Sequence, residues 1–103
     1  MTEMTLEQLQ EWVWSVIESR GMGTSIGERL SKLLAEVREL NAEMFYKLHD
    51  GQSVLHDDES IAKEIADVII TLMALAKSLG ITNPTEITLA KIEDTEERYE
   101  VKG

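Results

Sequence analysis

Residues 59–79 restrict the fold most, because apolar side chains cover most of the circumference of the helix that their spacing predicts. A helix that is apolar on nearly every side is buried, either within its own fold or against a partner. Two acidic residues on such a helix are costly to bury unless they are paired or bound to a metal. The polar stripe that remains is narrow and consists of Glu64, Asp67, Thr71 and Ser78.

Four helices account for the chain, and each begins with a recognisable capping signal. The predicted helices span about Leu6–Arg20, Ile26–His49, Glu59–Leu79 and Pro84–Val101. Their N-terminal signals are Thr5 with Gln8, Ser25 with Glu28, Asp57 or Asp58, and Asn83 with Glu86. No segment has the spacing of a convincing β-strand. The sequence therefore predicts an all-α fold, a four-helix bundle formed by one domain over residues 1–103.

The chain of 103 residues carries 20 acidic and 10 basic residues and no cysteine, for a net charge of −10. Without cysteine, disulfides, thiolate catalysis and zinc–sulfur sites are excluded. Nucleic-acid partners are not expected, because phosphate backbones bind basic patches. A nucleotide would approach only with a cation or beside a few local basic residues. A polar N-terminal segment and the lack of an apolar run of about 18 residues predict a cytoplasmic protein without membrane contact.

Two acidic doublets with helical spacing form the candidate chemical site. Glu36 and Glu39 lie in the second predicted helix, and Glu64 and Asp67 lie in the third. Residues three apart share a helical face, so four carboxylates can converge where these two helices pack side by side. Such a cluster repels itself unless a hard divalent cation such as Mg²⁺ binds it. Two alternatives stay open from the residues alone, namely a solvated acidic flank and an ion pair between Glu64 and a lysine.

The doublets and the segments around them resemble those of the MazG-like, all-α nucleoside triphosphate pyrophosphohydrolases. The shared pattern is A-E-V-R-E at residues 35–39 and E-I-A-D at residues 64–67, with 24 residues between Glu39 and Glu64. Further similar segments are KLLAEVREL, the LGI that ends the third helix, and KIEDTEERY near the C-terminus. The resemblance covers about residues 26–99.

This resemblance implies that the protein hydrolyses a nucleoside triphosphate to the monophosphate and pyrophosphate, with Mg²⁺ as cofactor or Mn²⁺ in its place. Glu36 or Glu39 is expected to take the proton of the attacking water. Members of the family act as homodimers or homotetramers, and the apolar third helix of so short a chain independently favours association. The implied metal ligands are Glu36, Glu39, Glu64 and Asp67.

Candidates for substrate binding lie outside the doublets. Lys91 and Arg98 match basic positions of the family, and their spacing of seven residues places them on one face of the fourth helix. The resemblance implies phosphate binding for both, whereas ion pairs with acidic neighbours are the alternative. Trp12 and Trp14 point in different directions on the first helix. Packing in a core or an interface is the usual role for each, and stacking on a nucleotide base is the other.

Departures from the family pattern leave two other functions open. Ala35 stands where the family has a glutamate, and Thr95 stands where asparagine is common. These differences allow a non-catalytic oligomerisation or adaptor module that keeps the same scaffold. A related pyrophosphohydrolase that acts on a phosphoribosyl nucleotide is the third interpretation. Metal binding distinguishes the enzymes from the adaptor, since an adaptor has no need of a cation at the four acids.

Overall fold

The computed structural model describes residues 3–49 and 58–99, and the regular secondary structure in these two stretches is entirely α-helical. This confirms the all-α prediction and the number of helices for the described part of the chain. The predicted cap Asp57 and the predicted end of the last helix at Val101 lie outside the described residues. The four helices are α1 (Leu6–Ser19), α2 (Ile26–His49), α3 (Asp58–Ser78) and α4 (Pro84–Tyr99).

The first two helices begin at the predicted capping residues. The Thr5 hydroxyl accepts a hydrogen bond from the Gln8 backbone N–H at 3.1 Å, and the Gln8 side chain accepts one from the Thr5 backbone at 2.8 Å. The Ser25 hydroxyl accepts from the Glu28 backbone N–H at 3.2 Å and donates to the Glu28 carboxylate at 2.7 Å. These bonds satisfy backbone donors that the first helical turn leaves without partners, so local sequence fixes both helix starts.

Glycines end α1 and α3 as predicted, with positive φ angles of 65° at Gly21 and 81° at Gly80. Glycine adopts this left-handed conformation without the steric penalty that a side chain brings. After Gly80, the backbone N–H of Ile81 donates to the carbonyl of Ala76 at 2.9 Å, which closes the last turn of α3. The chain then turns away and enters α4 at Pro84.

The helix α3 lies at the centre of the arrangement, since both α2 and α1 pack against it and α4 packs against α1. The core lies between α1 and α3, where Val13, Ile17 and Ala74 are buried. The partly buried side chains around this core are Leu9, Trp14 and Ile70. Trp14 therefore takes the core position expected of one of the two tryptophans. Among the described residues, no helix is long and apolar enough to cross a lipid bilayer.

A buried amide joins α1 to the end of α3. The Gln10 side chain is only 1 % exposed, and its Nε2 donates to the carbonyls of Met73 at 3.1 Å and Ile81 at 2.9 Å. Buried polar groups need hydrogen-bond partners, and the Gln10 amide has two. One of them is the Ile81 carbonyl, which lies beyond the end of α3. Gln10 therefore fixes the position of α1 along α3.

Much of the apolar surface of α3 remains exposed in the single chain, although the sequence predicts that this helix is buried. Ile65, Ile69 and Leu72 are all exposed on one side of it. The Cα radius of gyration is 16.7 Å, whereas a compact domain of this length has about 13 Å. One chain thus forms an open arrangement that does not cover its most apolar helix.

We expect the substitution Gln10→Leu to lower the free energy of unfolding by about 1–3 kcal/mol, because it leaves a buried carbonyl without its donor. Urea unfolding followed by helical circular dichroism measures the change at one fixed protein concentration. Glu18→Ala on the exposed side of the same helix is the control, with an expected change within about 0.5 kcal/mol. Equal unfolding midpoints for Gln10→Leu and the wild type would contradict this role.

Candidate metal centre

The acidic residues meet because α2 and α3 pack against each other in antiparallel order. Residues 29–36 of α2 and residues 67–74 of α3 line the same cleft. One turn further along α2, Glu39 lies beside Glu64. Rising residue numbers on α2 thus match falling numbers on α3, as antiparallel packing requires. The equal spacing of the two doublets then places acid opposite acid.

Three carboxylates form a compact cluster at this contact. One oxygen from each of Glu36, Glu64 and Asp67 lies within 4.8 Å of the others. Glu36 is buried, with 5 % of its surface exposed, while Glu64 is half-buried and Asp67 is exposed. The cluster therefore has a closed side on α2 and an open side that a ligand can reach from solvent.

Two oxygens of the cluster have no hydrogen-bond partner in the described residues. They are Glu36 Oε2 and Glu64 Oε2, and both are inaccessible to solvent. The other oxygen of Glu36 pairs with the Lys32 ammonium at 2.8 Å, a bond that raises the pKa of Lys32. One lysine cannot balance three neighbouring carboxylates, and buried anionic oxygens are costly without a partner. The donor set fits a hard divalent cation, which prefers several carboxylate oxygens.

The cluster changes the pKa of the Glu64 carboxyl group. Burial raises its pKa above the ordinary value of 4.5, and the negative charges of Glu39, Asp67 and Glu36 raise it further. A hydrogen bond to Glu39 adds to the shift, since it requires a proton on Glu64. Glu39 is exposed and lies outside the three-carboxylate cluster, but it contacts that cluster through Glu64. The structure thus brings together all four acids that the sequence singles out.

A cleft of about 320 Å³ opens beside the acids, between α1, α2 and α3. Glu36 and Asp67 lie on its wall, as does Trp12, which is 55 % exposed. The cleft therefore combines carboxylates, cations and an aromatic ring, which are the groups that a metal-bound nucleotide can use. Its basic residues are Arg20, Arg29 and Lys32.

Lys91 and Arg98 lie elsewhere. Both are exposed on α4 and pair with the same carboxylate of Asp94, at 3.5 Å and 3.4 Å. This is the local pairing that the sequence leaves open as their alternative role, and neither residue lines the cleft. Their binding of phosphate stays a prediction.

Sequence reasoning missed the cations of the cleft. Lys32, Arg20 and Arg29 were given no role in the site. A signal for two of them was present, because Arg29, Lys32 and Glu36 have i, i+3, i+7 spacing and so share one flank of α2. Arg20 carried no such signal, since it follows α1 and reaches the cleft only through the packing of α1 against α3.

A family comparison agrees with this geometry. The model of the MazG-like family matches residues 30–103, which include both acidic doublets. The chain belongs to the MazG-like family. This family is associated with nucleotide pyrophosphohydrolases, as the resemblance of the two doublets implies. No curated protein and no solved structure matches the chain.

Because the pKa of Glu64 is raised, this residue lowers the free energy of unfolding of the metal-free protein as the pH increases. A carboxyl group whose pKa is higher in the folded state than its unfolded value of 4.5 stabilises the fold at pH values below 4.5. This stabilisation is lost as the pH rises through the pKa of the folded state. We therefore expect Glu64→Gln to raise the melting temperature of the metal-free protein at about pH 7.5. Thermal unfolding in a chelator, from pH 4.5 upward, measures both the rise and the flatter pH dependence.

The same variant should lose the response to metal. Added Mg²⁺ is expected to raise the melting temperature of the wild type, because it binds the folded state, and to leave Glu64→Gln nearly unchanged. Glu59→Gln is the matched control, since Glu59 pairs with Lys63 on the exposed surface of α3. A lower melting temperature for metal-free Glu64→Gln than for the wild type would contradict the electrostatic account.

Proposed function

We propose that this protein is a Mg²⁺-dependent pyrophosphohydrolase that converts a nucleoside triphosphate to the monophosphate and pyrophosphate. The observation that carries the proposal is the carboxylate cluster, in which two buried oxygens have no partner in the described residues and the neighbouring cleft carries cations. Membership of the MazG-like family supports the same type of reaction. An adaptor would have no use for buried, unpartnered carboxylate oxygens.

Glu36, Glu64 and Asp67 would hold the metal, and Glu39 would complete the group from its place beside Glu64. When bound, Mg²⁺ neutralises phosphate charge and lowers the pKa of the attacking water. Mn²⁺ has similar ligand preferences and is expected to substitute for it. The raised pKa of Glu64 means that this ligand must lose its proton before it binds, so metal affinity should increase with pH.

Lys32 and Glu39 have different roles in this scheme. The 2.8 Å ion pair with Lys32 holds the Glu36 carboxylate in place on the buried side of the cluster. Glu39 suits the role of proton acceptor better than Glu36, because Glu39 is exposed and lies at the edge of the cluster. A general base needs access to the water that it deprotonates.

The cleft would hold the rest of the nucleotide. Trp12 offers an exposed aromatic face on its wall, which supports a role in stacking on the base. Lys91 and Arg98 remain proposed phosphate contacts, but within the described residues α4 makes its main helix contact with α1. Their contribution would therefore require a site that is assembled between chains.

A homodimer or homotetramer is part of the proposal. Apolar side chains of α2 and α3 are exposed in the single chain, although such residues form the core in helical proteins. A contiguous apolar surface of this kind marks an association site, and a second copy of the chain offers a matching one. These exposed residues include Leu30, Leu34 and Val37 on α2, and Ile65, Ile69 and Leu72 on α3.

Each (deoxy)nucleoside triphosphate incubated with the protein and Mg²⁺ should yield the monophosphate and pyrophosphate in separated products. Asp67→Asn and Glu64→Gln should each lower kcat by at least about 100-fold, because loss of a ligand should exceed the 10–100-fold effect of losing its supporting contacts. Glu59→Gln should keep the wild-type rate, and circular dichroism should show unchanged helix content for all three variants. Orthophosphate as the product, or no turnover of any nucleotide, would refute the proposed reaction.

Light scattering after size-exclusion chromatography should give two or four times the chain mass of 11.6 kDa. Ile69→Glu should reduce the mass towards one chain, because it places a charge in the proposed apolar interface. Lys63→Glu on the same helix is the control, since the Lys63 side chain is well exposed and pairs with the nearby, equally exposed Glu59. A wild-type protein that elutes as a single chain at every concentration tested would exclude association.

A further inference from the structure

Arg29 is a buried basic residue that forms no ion pair within the described residues. Only 7 % of its surface is exposed, and its Nε has no hydrogen-bond partner. Its side chain lines the same cleft as Glu36 and Asp67. We propose that Arg29 binds the pyrophosphate part of the substrate, the two phosphates that leave in the reaction. The assignment to this part of the nucleotide rests on the proposed function, whereas the anion site stands on the geometry of Arg29.

The cost of burying the charge of Arg29 favours an anionic ligand beside it. A guanidinium remains charged at every physiological pH, so it cannot escape the cost of burial by losing a proton. Buried charges are normally paired, because burying an unpaired one is costly. Arg29 nevertheless has no carboxylate partner in the described part of the chain, although the protein has twice as many acids as bases. An incoming phosphate would supply the missing acceptors, and guanidinium matches phosphate with two parallel hydrogen bonds.

The surroundings of Arg29 also suit a polyphosphate. Three of the ten basic residues of the chain, Arg20, Arg29 and Lys32, line this one cleft of a protein with a net charge of −10. Lys32 is already bonded to Glu36, which leaves the two arginines as the cations available to a ligand. Such a concentration of positive charge in an acidic protein attracts an anion to the cleft rather than to the surface.

Position along α2 indicates which phosphates Arg29 would contact. Arg29 and Glu36 are seven residues apart, or about 10 Å along the helix axis. A triphosphate that lies along α2 can therefore reach the metal ligands with its α-phosphate and the arginine with its terminal phosphates. The cleaved bond would lie at the metal end, and Arg29 would stabilise the charge of the departing pyrophosphate.

Calorimetric titration of the protein with inorganic pyrophosphate, in a chelator and without metal, tests the anion site apart from catalysis. The wild type should bind, and Arg29→Met should weaken binding by at least about tenfold, as expected for loss of a charge-assisted hydrogen bond. Arg29→Lys should be intermediate, since lysine keeps the charge without the paired donors. Arg38→Met is the matched control on the same helix, because Arg38 is exposed and does not line the cleft.

Thermal unfolding separates ligand binding from a structural role. A buried arginine that awaits a ligand destabilises the empty protein, so Arg29→Met should raise the melting temperature without ligand and abolish the increase caused by pyrophosphate. A lower melting temperature for the ligand-free variant would show that Arg29 supports the fold, and would overturn the inference. No binding of pyrophosphate by the wild type would overturn it as well.

The outcomes also separate this inference from the proposed function. Protein that binds pyrophosphate through Arg29 but hydrolyses no nucleotide would refute the proposed reaction and support the anion site. Active protein in which Arg29→Met keeps the wild-type affinity for pyrophosphate would refute this inference alone.

Discussion

The packing of α2 against α3 is the constraint on which the rest of the structure depends, because it forces like charges together. Glu36 would separate from Glu64 and Asp67 if the helices were free, yet the packing of α2 on α3 holds the oxygens of the three residues within 4.8 Å. Burial of apolar side chains supplies about 25 cal/mol per Å², so a long helix contact can outweigh the repulsion of a few acids. Burial, together with the remaining repulsion, raises the pKa of Glu64, and the repulsion favours a bound cation. The packing of the two helices thus holds together the carboxylates that the proposed metal site requires.

The helix ends and the meeting of the two doublets could be predicted, because both follow from local spacing. Thr5 with Gln8 and the glycine at position 80 determine their helix ends through contacts within a few residues. The doublets meet because each places its acids three residues apart on a flank of an apolar helix. Spacing alone could not show that Glu39 stands at the edge of the cluster. That distinction depends on the register of two helices that contact each other far apart in sequence.

The cleft and the exposed apolar faces were beyond prediction for a related reason. A helical wheel shows which side of α3 is apolar, but not whether the same chain or a second one covers Ile65 and Ile69. It also places Lys91 and Arg98 together on α4 without showing that α4 packs on α1 and that both bases meet Asp94. Arg29 acquires its significance only from burial, which the spacing of residues along α2 does not show. Long-range packing decides all three cases.

The two kinds of unsatisfied charge in the cleft are complementary to a single ligand. The buried Oε2 atoms of Glu36 and Glu64 and the buried Nε of Arg29 have no hydrogen-bond partner within the described residues. Arg29 and Glu36 lie on one flank of α2, but they are two turns apart and Lys32 stands between them, so they cannot neutralise each other. A metal–polyphosphate complex offers positive charge at one end and negative charge at the other. Such a ligand satisfies both ends of the cleft, whereas a free cation or a free phosphate satisfies only one.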